Sequence, residues 1–514
     1  MRGWTPELVA AAAGADLIAS GSAAGGPARV CVDSRELRAG DLFVGLAGTR
    51  VHGGRFVKAA LEAGAWGVLS EPPYVEAPDL GGGARLAAAD PLAALHRLAR
   101  AWRRELRAQV VGITGSTGKT STKELLRALI APHRRVVASR ANRNTEVGLP
   151  LELLAAPPDT EVLVLEMAMR GPGQIAELAR IAEPDVGVIV SIGPVHLGLL
   201  GSLEAIAAAK AELIAALAPG ATAIVPAGER LLAPHLRADV RTVRFGDGGD
   251  VRLAAVDGRR VSIAASGEPL GAESTTIELE LSFTQSHLRH DLLAAVAAAL
   301  AIGVRPGGRV ELELGAGRGR RIEVRLPSRP GRPAGRLLLI DDCYNANPMS
   351  MRAALEDLAA TSGARRVAVL GDMLELGGDG ERYHAELGEQ ATRAGVGVLV
   401  AVGPLAAVAG ERFRGELHRA ADAAEAAELV PRLVRAGDVV LVKGSRAVGL
   451  ERVCEALLAW GRCGGDRAAG HPSGSDRAAG SDRAAGGAGA SDHAAGKAAG
   501  TERRGSGGVP GCLR

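Results

Sequence analysis

The feature that most constrains this chain is a seven-residue turn between an apolar run and a helical pattern. Gln109–Ile113 reads as a short buried strand, Thr114-Gly115-Ser116-Thr117-Gly118-Lys119-Thr120 as a tight loop, and 119–130 as a helix. A loop so placed aims backbone N–H groups at an anion near the helix start. Gly115 and Gly118 let the chain curl, Lys119 brings a positive charge, and Thr120 offers a hydroxyl oxygen to Mg2+. The general phosphate-loop pattern has its first glycine at position 113, which is Ile113 here; the glycines stand at 112, 115 and 118. The plainer alternative is an ordinary glycine-rich strand-to-helix turn.

The surrounding pattern makes this an α/β chain. Apolar runs at 162–165, 186–192 and 221–225 alternate with helical periods at 174–181 and 203–217, as βαβ units and a parallel sheet require. Short β segments fill 250–285, and an alanine-rich helix spans 288–302. A second, smaller alternation starts near residue 320, with strands at 337–340, 366–370, 398–402 and 439–442 and helices at 350–360 and 383–394. Before the phosphate loop, Thr5-Pro6-Glu7 is a helix start, 55–63 a helix and 65–69 a strand. The reading divides the chain into domains at 1–105, 106–312 and 313–463. In the tail, 464–514, Asp-Arg-Ala-Ala-Gly recurs at Asp466, Asp476 and Asp482 with almost no large apolar residue, which predicts disorder.

Composition excludes several classes. Lys and Arg number 61 against 58 Asp and Glu, so the basic excess of a nucleic-acid binder is lacking and no nucleic-acid partner is expected. Aromatics are 2% of residues, so the cores must be aliphatic and base-stacking platforms are not expected. The five cysteines (Cys31, Cys343, Cys454, Cys463 and Cys512) are widely spaced without CxxC, fitting neither a disulfide framework nor a zinc site. With no signal peptide and no apolar run near ~18 residues, a soluble cytoplasmic protein without membrane insertion is expected.

Two further residues reach the edge of the sheet where ligands of open α/β folds bind, and a third follows on the next helix. Glu166 follows the run 162–165, where a carboxylate can serve Mg2+ beside a phosphate loop or simply be solvated. His196 follows the next strand by a Gly-Pro turn and so reaches the same edge, where a loop histidine can equally be merely solvated. Lys210 lies on the helix after His196; an ordinary helix lysine needs no explanation. It could bind a metal only as a carbamate, which carries hard oxygen ligands.

Thr114–Thr120, Glu166, His196 and Ala209-Lys210 stand in the order and spacing of the Mur ligases, which this chain resembles over about 25–460. Asp341-Asp342-Cys343-Tyr344-Asn345-Ala346-Asn347-Pro348, Gly371-Asp372-Met373-Leu374-Glu375-Leu376-Gly377 with His384, and Lys443-Gly444-Ser445-Arg446 are similar to the MurF branch. The resemblance implies three domains: one for the UDP-sugar end, a central phosphate-loop ATPase domain with a parallel sheet, and a smaller Rossmann-like C-terminal domain. It implies ATP as substrate with Mg2+, UDP-MurNAc-tripeptide and D-Ala-D-Ala as partners, an acyl-phosphate intermediate, and a monomer. Residues 115–120 would hold the phosphates, from Gly115 through Ser116, Thr117, Gly118 and Lys119 to Thr120. Asn345 and Asn347 would touch the adenine side; Arg320, crowded by Arg318 and Arg321, would meet the nucleotide. Thr120 and Glu166 would hold one Mg2+, His196 and carbamylated Lys210 a second, while Lys119, His196 and Lys210 form the catalytic set. Ser34 and Arg35, in motifs Asp33-Ser34-Arg35 and Gly40-Asp41-Leu42-Phe43, would bind the UDP-sugar, and Asn142 and Asn144 the muramyl peptide. The chain departs from the family at Ala141 and Thr145, at Val51-His52-Gly53-Gly54, and at Asp291, where an Asn is expected. Another ligase of the superfamily and a non-catalytic nucleotide-binding module are the alternatives.

Overall fold

A computed structural model describes residues 1–463 apart from residue 2 and the stretches 22–24, 141–142, 268–269, 271–273, 329 and 331–332. The predicted disordered tail and Asn142 lie outside the described residues.

The chain forms three sheets among the described residues, one N-terminal, one central and one C-terminal. The first is five-stranded, with Leu42–Val44 and Gly67–Ser70 parallel in its middle and Asp16–Ala19 antiparallel at one edge. Its opening helix, Pro6–Ala13, starts as the sequence predicts: the Thr5 side chain accepts from Leu8 N at 3.4 Å, Pro6 fills the first turn, and Gly14 closes the end at φ 60°.

The ten-stranded central sheet positions the site. Gln109–Thr114 lies between Val162–Glu166 and Val186–Ile189, all parallel, so the three strands end on one edge. Register pairs Ile113 with Glu166 on one side and Thr114 with Ile189 on the other. The same sheet turns antiparallel over Val251–Asp257, Arg260–Ala265 and Thr275–Leu281. Helix Lys119–Ile130 packs against Ser286–Ala301, in which Leu292, Ala294 and residues 295–299 are fully buried. Alanine is what makes that possible: small side chains let a helix sit between sheet and neighbour with little lost rotamer entropy.

The expected strand at 186–192 stops at Ile189. Residues 190–193 peel away to engage the phosphate loop: Ser191 O accepts from Ser116 N at 2.9 Å, and Ser191 Oγ accepts from Thr117 N at 3.0 Å. Ser116 Oγ donates to Gly193 O at 3.0 Å and accepts from Gly193 N at 2.9 Å. An apolar run cannot reveal that its last residues spend their backbone groups on another loop. The expected helix at 55–63 likewise opens as a 3-10 turn, Gly53–Phe56, before Val57–Glu62.

The third sheet has six strands, in the order Arg320–Leu326, Gly335–Asp341, Asp438–Lys443, Arg365–Gly371, Val398–Val402 and Glu416–Ala420. Only the first is antiparallel to its neighbour. No helix among the described residues is long and apolar enough to cross a membrane.

Candidate active site

One cavity of about 1310 Å3 opens at the shared edge of the central sheet. Ser116, Thr117, Gly118, Lys119 and Thr120 line one wall, with Asn144, Glu166 and His196 beside them. Across from them stand Arg318, Arg320, Asp342, Tyr344, Asn345 and Asn347 of the C-terminal sheet region.

Gly118 opens the phosphate-loop helix at φ 82°, a left-handed conformation that a β-carbon disfavours, and any β-carbon there would also strike the Asp291 carboxylate. Lys119 lines the cavity, and its Nζ bends back to donate to Gly115 O at 2.6 Å. Burial pulls its pKa down and the Glu166 charge pulls the other way. A lysine so held is a charge waiting for an anion: a phosphate in the loop would complete it.

Glu166 is 4% exposed, and each of its carboxylate oxygens is held. Oε2 accepts from Thr120 Oγ1 at 2.9 Å and Oε1 from Asn144 Nδ2 at 3.0 Å, while Ser139 Oγ fixes the Glu166 amide at 3.0 Å. The Thr120 hydroxyl and the Glu166 carboxylate are both hard oxygen donors, the type that Mg2+ prefers.

His196 caps the short helix Leu197–Leu200 in the left-handed region, at φ 54°. Its Nδ1 bonds the Glu375 carboxylate, which comes from the C-terminal sheet region. Desolvation lowers the His196 pKa, and Glu375 opposes that shift. Lys210 is 2% exposed, with no hydrogen bond or ion pair among the described residues. Burial, and then the neighbouring Lys119 charge, push its pKa well below that of an ordinary lysine. The cost of burying an ammonium ion unpaired explains the direction.

On the opposite wall, Asn347 caps helix Pro348–Ala360 in a reciprocal box with Ser350: Oδ1 accepts from Ser350 N at 2.9 Å, and Asn347 N donates to Ser350 Oγ at 3.0 Å. Asn345 Oδ1 accepts from Ala346 N at 2.9 Å, and its carbonyl accepts from Lys443 Nζ at 3.0 Å. Lys443 also holds Asp342 at 2.7 Å; burial raises the Asp342 pKa and the lysine opposes it. The three neighbouring arginines have different surroundings. Arg321 is tied to Asp357 at 2.7 Å and Thr361 at 3.0 Å, and Arg318 stacks 3.8 Å over the Tyr344 ring. Arg320 has no ion pair among the described residues and faces the cavity.

Nucleotide-type loop, carboxylate and histidine thus meet a second α/β body across a cleft, with the buried Lys210 behind them. Family models cover three successive stretches: the Mur ligase family, catalytic domain, over 28–102; the Mur ligase middle domain over 113–299; and the Mur ligase, glutamate ligase domain, over 321–446. The chain is 37% identical over 439 residues to the UDP-N-acetylmuramoyl-tripeptide--D-alanyl-D-alanine ligase of Synechocystis sp., covering 84% of this chain and 92% of that protein. It is 34% identical to the enzyme of that name from Bacillus subtilis, covering 84% and 93%. The chain belongs to the Mur ligase family, in its MurF branch. MurF from Acinetobacter baumannii superposes with a TM-score of 0.75 at 29% identity, over 89% of this chain and 99% of that one. MurF ligase from Thermotoga maritima in complex with ADP gives 0.71 at 30%, over 85% and 98%. Like its relatives, this Mur ligase is an ATP-dependent ligase of three-domain α/β architecture.

Of the residues singled out in the sequence, Ser116, Thr117, Gly118, Lys119, Thr120, Asn144, Glu166, His196, Arg320, Asn345 and Asn347 line the one cavity. Gly115 and Lys210 stand behind it, Gly115 through its bond to Lys119 and Lys210 as a buried cation-side neighbour. Ser34 and Arg35 lie in the first domain and do not line this cavity; Arg35 clamps Asp33 through both carboxylate oxygens, at 2.9 and 2.6 Å, and holds its pKa down to about 2. Sequence reasoning missed Glu375 as the partner of His196, Ser191 as the latch of the phosphate loop, and the Asp342–Lys443 pair. Each lies within or beside a stretch whose motif was visible, but the pairing of distant segments was not.

Proposed function

We propose that this Mur ligase joins D-alanyl-D-alanine to UDP-MurNAc-tripeptide, with ATP converting the terminal carboxylate to an acyl phosphate. The observation that carries the reading is the convergence of Lys119, the Thr120–Glu166 pair and His196 on one cavity faced by Arg320, Asn345 and Asn347. The named MurF relatives support the substrates.

A carboxylate oxygen is a poor leaving group, so amide formation needs activation first. The γ-phosphoryl group passes to the carboxylate oxygen and ADP leaves. The amine of D-Ala-D-Ala then attacks the carbonyl carbon, and inorganic phosphate departs as the amide forms. In this reading the chain acts mainly by placement and charge neutralisation. The loop amides of 115–120 cradle the phosphates, and Lys119 cancels charge on the transferring group. Asn345 and Asn347 fix the adenine side, and Arg320 meets the nucleotide from the C-terminal domain. Asn144, and Asn142 outside the described residues, orient the muramyl peptide, while Ser34 and Arg35 hold the UDP-sugar end.

Thr120 and Glu166 supply oxygen donors suited to one Mg2+, which when bound would screen the two anions that must approach each other. His196 and Lys210 would hold a second only if Lys210 is carbamylated: its neutral amine adds CO2, a proton leaves, and the resulting anion offers oxygen ligands. The burial of Lys210 without an anionic partner supports that chemistry. A monomer is the proposed state, and the cytoplasm, where ATP is available, is the proposed location. The testing experiment measures phosphate release with UDP-MurNAc-tripeptide, with and without D-Ala-D-Ala. Release coupled to both substrates is expected; coupling to a different amino acid, or ATP binding without release, would replace the reading.

A further inference from the structure

Behind the nucleotide cavity, three side chains with ligand atoms meet at the end of strand Gly335–Asp341. We propose that Asp341, Cys343 and Cys454 form a buried site for a thiophilic divalent cation of the zinc class. Asp341 closes the strand, Cys343 lies two residues on, and Cys454 reaches them from the first turn of the last helix, Glu451–Cys463. Wide spacing in sequence hides the cluster, because only the parallel packing of the third sheet and its last helix brings the two sulfurs to one carboxylate.

Cys343 Sγ is 3.0 Å and Cys454 Sγ 3.4 Å from the same oxygen, Asp341 Oδ1. All three ligand atoms lie within 4.8 Å of one another, and all three residues are buried. With metal–sulfur bonds of about 2.3 Å and metal–oxygen bonds of about 2.0 Å, a tetrahedral sulfur–oxygen edge is about 3.5 Å. Both sulfur–oxygen separations therefore lie within about half an ångström of that edge.

The carboxylate gives a second, independent reason. Its Oδ2 accepts from Gly317 N at 3.1 Å, a bond that aims Oδ1 at the sulfurs, as outer partners aim metal ligands. Among the described residues, the donors to Oδ1 are the two thiols alone. S–H is a weak donor, so a buried carboxylate oxygen is left poorly solvated there. A divalent cation satisfies it. Two thiols and a carboxylate select a borderline-soft ion over Mg2+, which separates this site from the oxygen donors at Thr120 and Glu166. Binding replaces both S–H protons: one cation enters, two metal–sulfur bonds form, and two protons go to the solvent. Water takes the fourth position. The next residue, Asp342, holds Lys443 at 2.7 Å and starts the turn bearing Asn345 and Asn347, so the cation would sit directly behind the nucleotide-facing turn.

The test is a Co2+ titration of the full chain, reduced, treated with chelator and kept in excess Mg2+ to fill oxygen sites. One equivalent of Co2+ should produce a near-ultraviolet thiolate-to-cobalt band with tetrahedral visible absorption, release two protons, and be displaced by Zn2+. Cys343→Ser and Cys454→Ser should each abolish or shift the band, and Asp341→Asn should weaken affinity at least 10-fold. The combined Cys31→Ser, Cys463→Ser and Cys512→Ser variant should keep the band; it leaves the cluster untouched, so it decides the question even if the cluster variants fold poorly. A parent chain with no thiolate band at stoichiometric Co2+, a band that is unchanged in both cluster serine variants, or a band lost in the combined variant would overturn the site.

Discussion

His196 and Glu375 meet across the cleft, one from the central sheet's edge and one from the C-terminal sheet region, with the His196 Nδ1 bonded to the Glu375 carboxylate. Both residues adopt left-handed backbone conformations, at φ 54° and 63°, which non-glycine side chains rarely take. The two segments are stitched again where Gly198 N donates to Glu375 O at 3.0 Å. Strain on both sides of one contact marks a junction whose geometry is held by the surroundings, and it fixes which nitrogen of His196 remains for the cavity.

Glu375→Gln keeps hydrogen-bonding capacity but removes the charge. Turnover should fall roughly 10–100-fold, as for loss of other groups that orient a functional histidine. Glu375 raises the His196 pKa against desolvation, so its removal lowers that pKa further. The acid limb of the pH–rate profile should therefore move to lower pH. Unchanged turnover with an unmoved acid limb would remove Glu375 from any positioning role.

Lys119→Ala should lower ligation by roughly 10³-fold or more, the scale of losing a preorganised charge beside a developing anion. The fold should survive, because Lys119 bonds only a loop carbonyl. Steady-state rates beside circular dichroism check both halves.

Lys210→Ala should be inactive, and a short-chain carboxylate such as acetate should restore part of the rate by supplying oxygen ligands in the vacated space. Rescue distinguishes a carbamate from a merely structural lysine, since filling a cavity with an anion would not otherwise restore turnover. A fully active variant would discard the carbamate.

Asp291 stands where the family pattern has Asn, buried behind the phosphate loop with Ser121 Oγ at 2.5 Å. Burial lifts its pKa to about 7, and the Ser121 bond only partly offsets that. The folded state thus holds a proton that the unfolded chain releases near pH ~4. That stabilisation is complete below the unfolded pKa and is lost as pH rises through about 7. The advantage of Asp291→Asn over the parent should grow by about 2–3 kcal/mol between pH 5 and pH 8. Urea unfolding at the two pH values measures it; an advantage independent of pH would mean that Asp291 titrates normally.

The strand–loop–helix around Lys119 was legible because glycine spacing and hydrophobic period are local. So was the placement of Glu166, since a strand parallel to Gln109–Thr114 must end on the same edge. The helix expected at 350–360 was legible too, although it opens two residues earlier, at Pro348, with Asn347 as its cap. What stayed hidden depends on chain segments far apart in sequence. Strand Val186–Ile189 ends early because Ser191 and Gly193 are claimed by the phosphate loop. Arg320 separates from Arg318 and Arg321 only when Tyr344 and Asp357 are seen to occupy the other two. Glu375 lay inside a visible motif, but its partner could not be read from either motif alone.

The central claim is that the acceptor carboxylate is phosphorylated in this cavity before the amine attacks. The direct measurement labels the terminal carboxylate of UDP-MurNAc-tripeptide with heavy oxygen and follows it by mass spectrometry during turnover with ATP and D-Ala-D-Ala. An acyl phosphate requires one labelled oxygen in the inorganic phosphate for each amide formed. Phosphate that carries no label while amide accumulates would contradict the account.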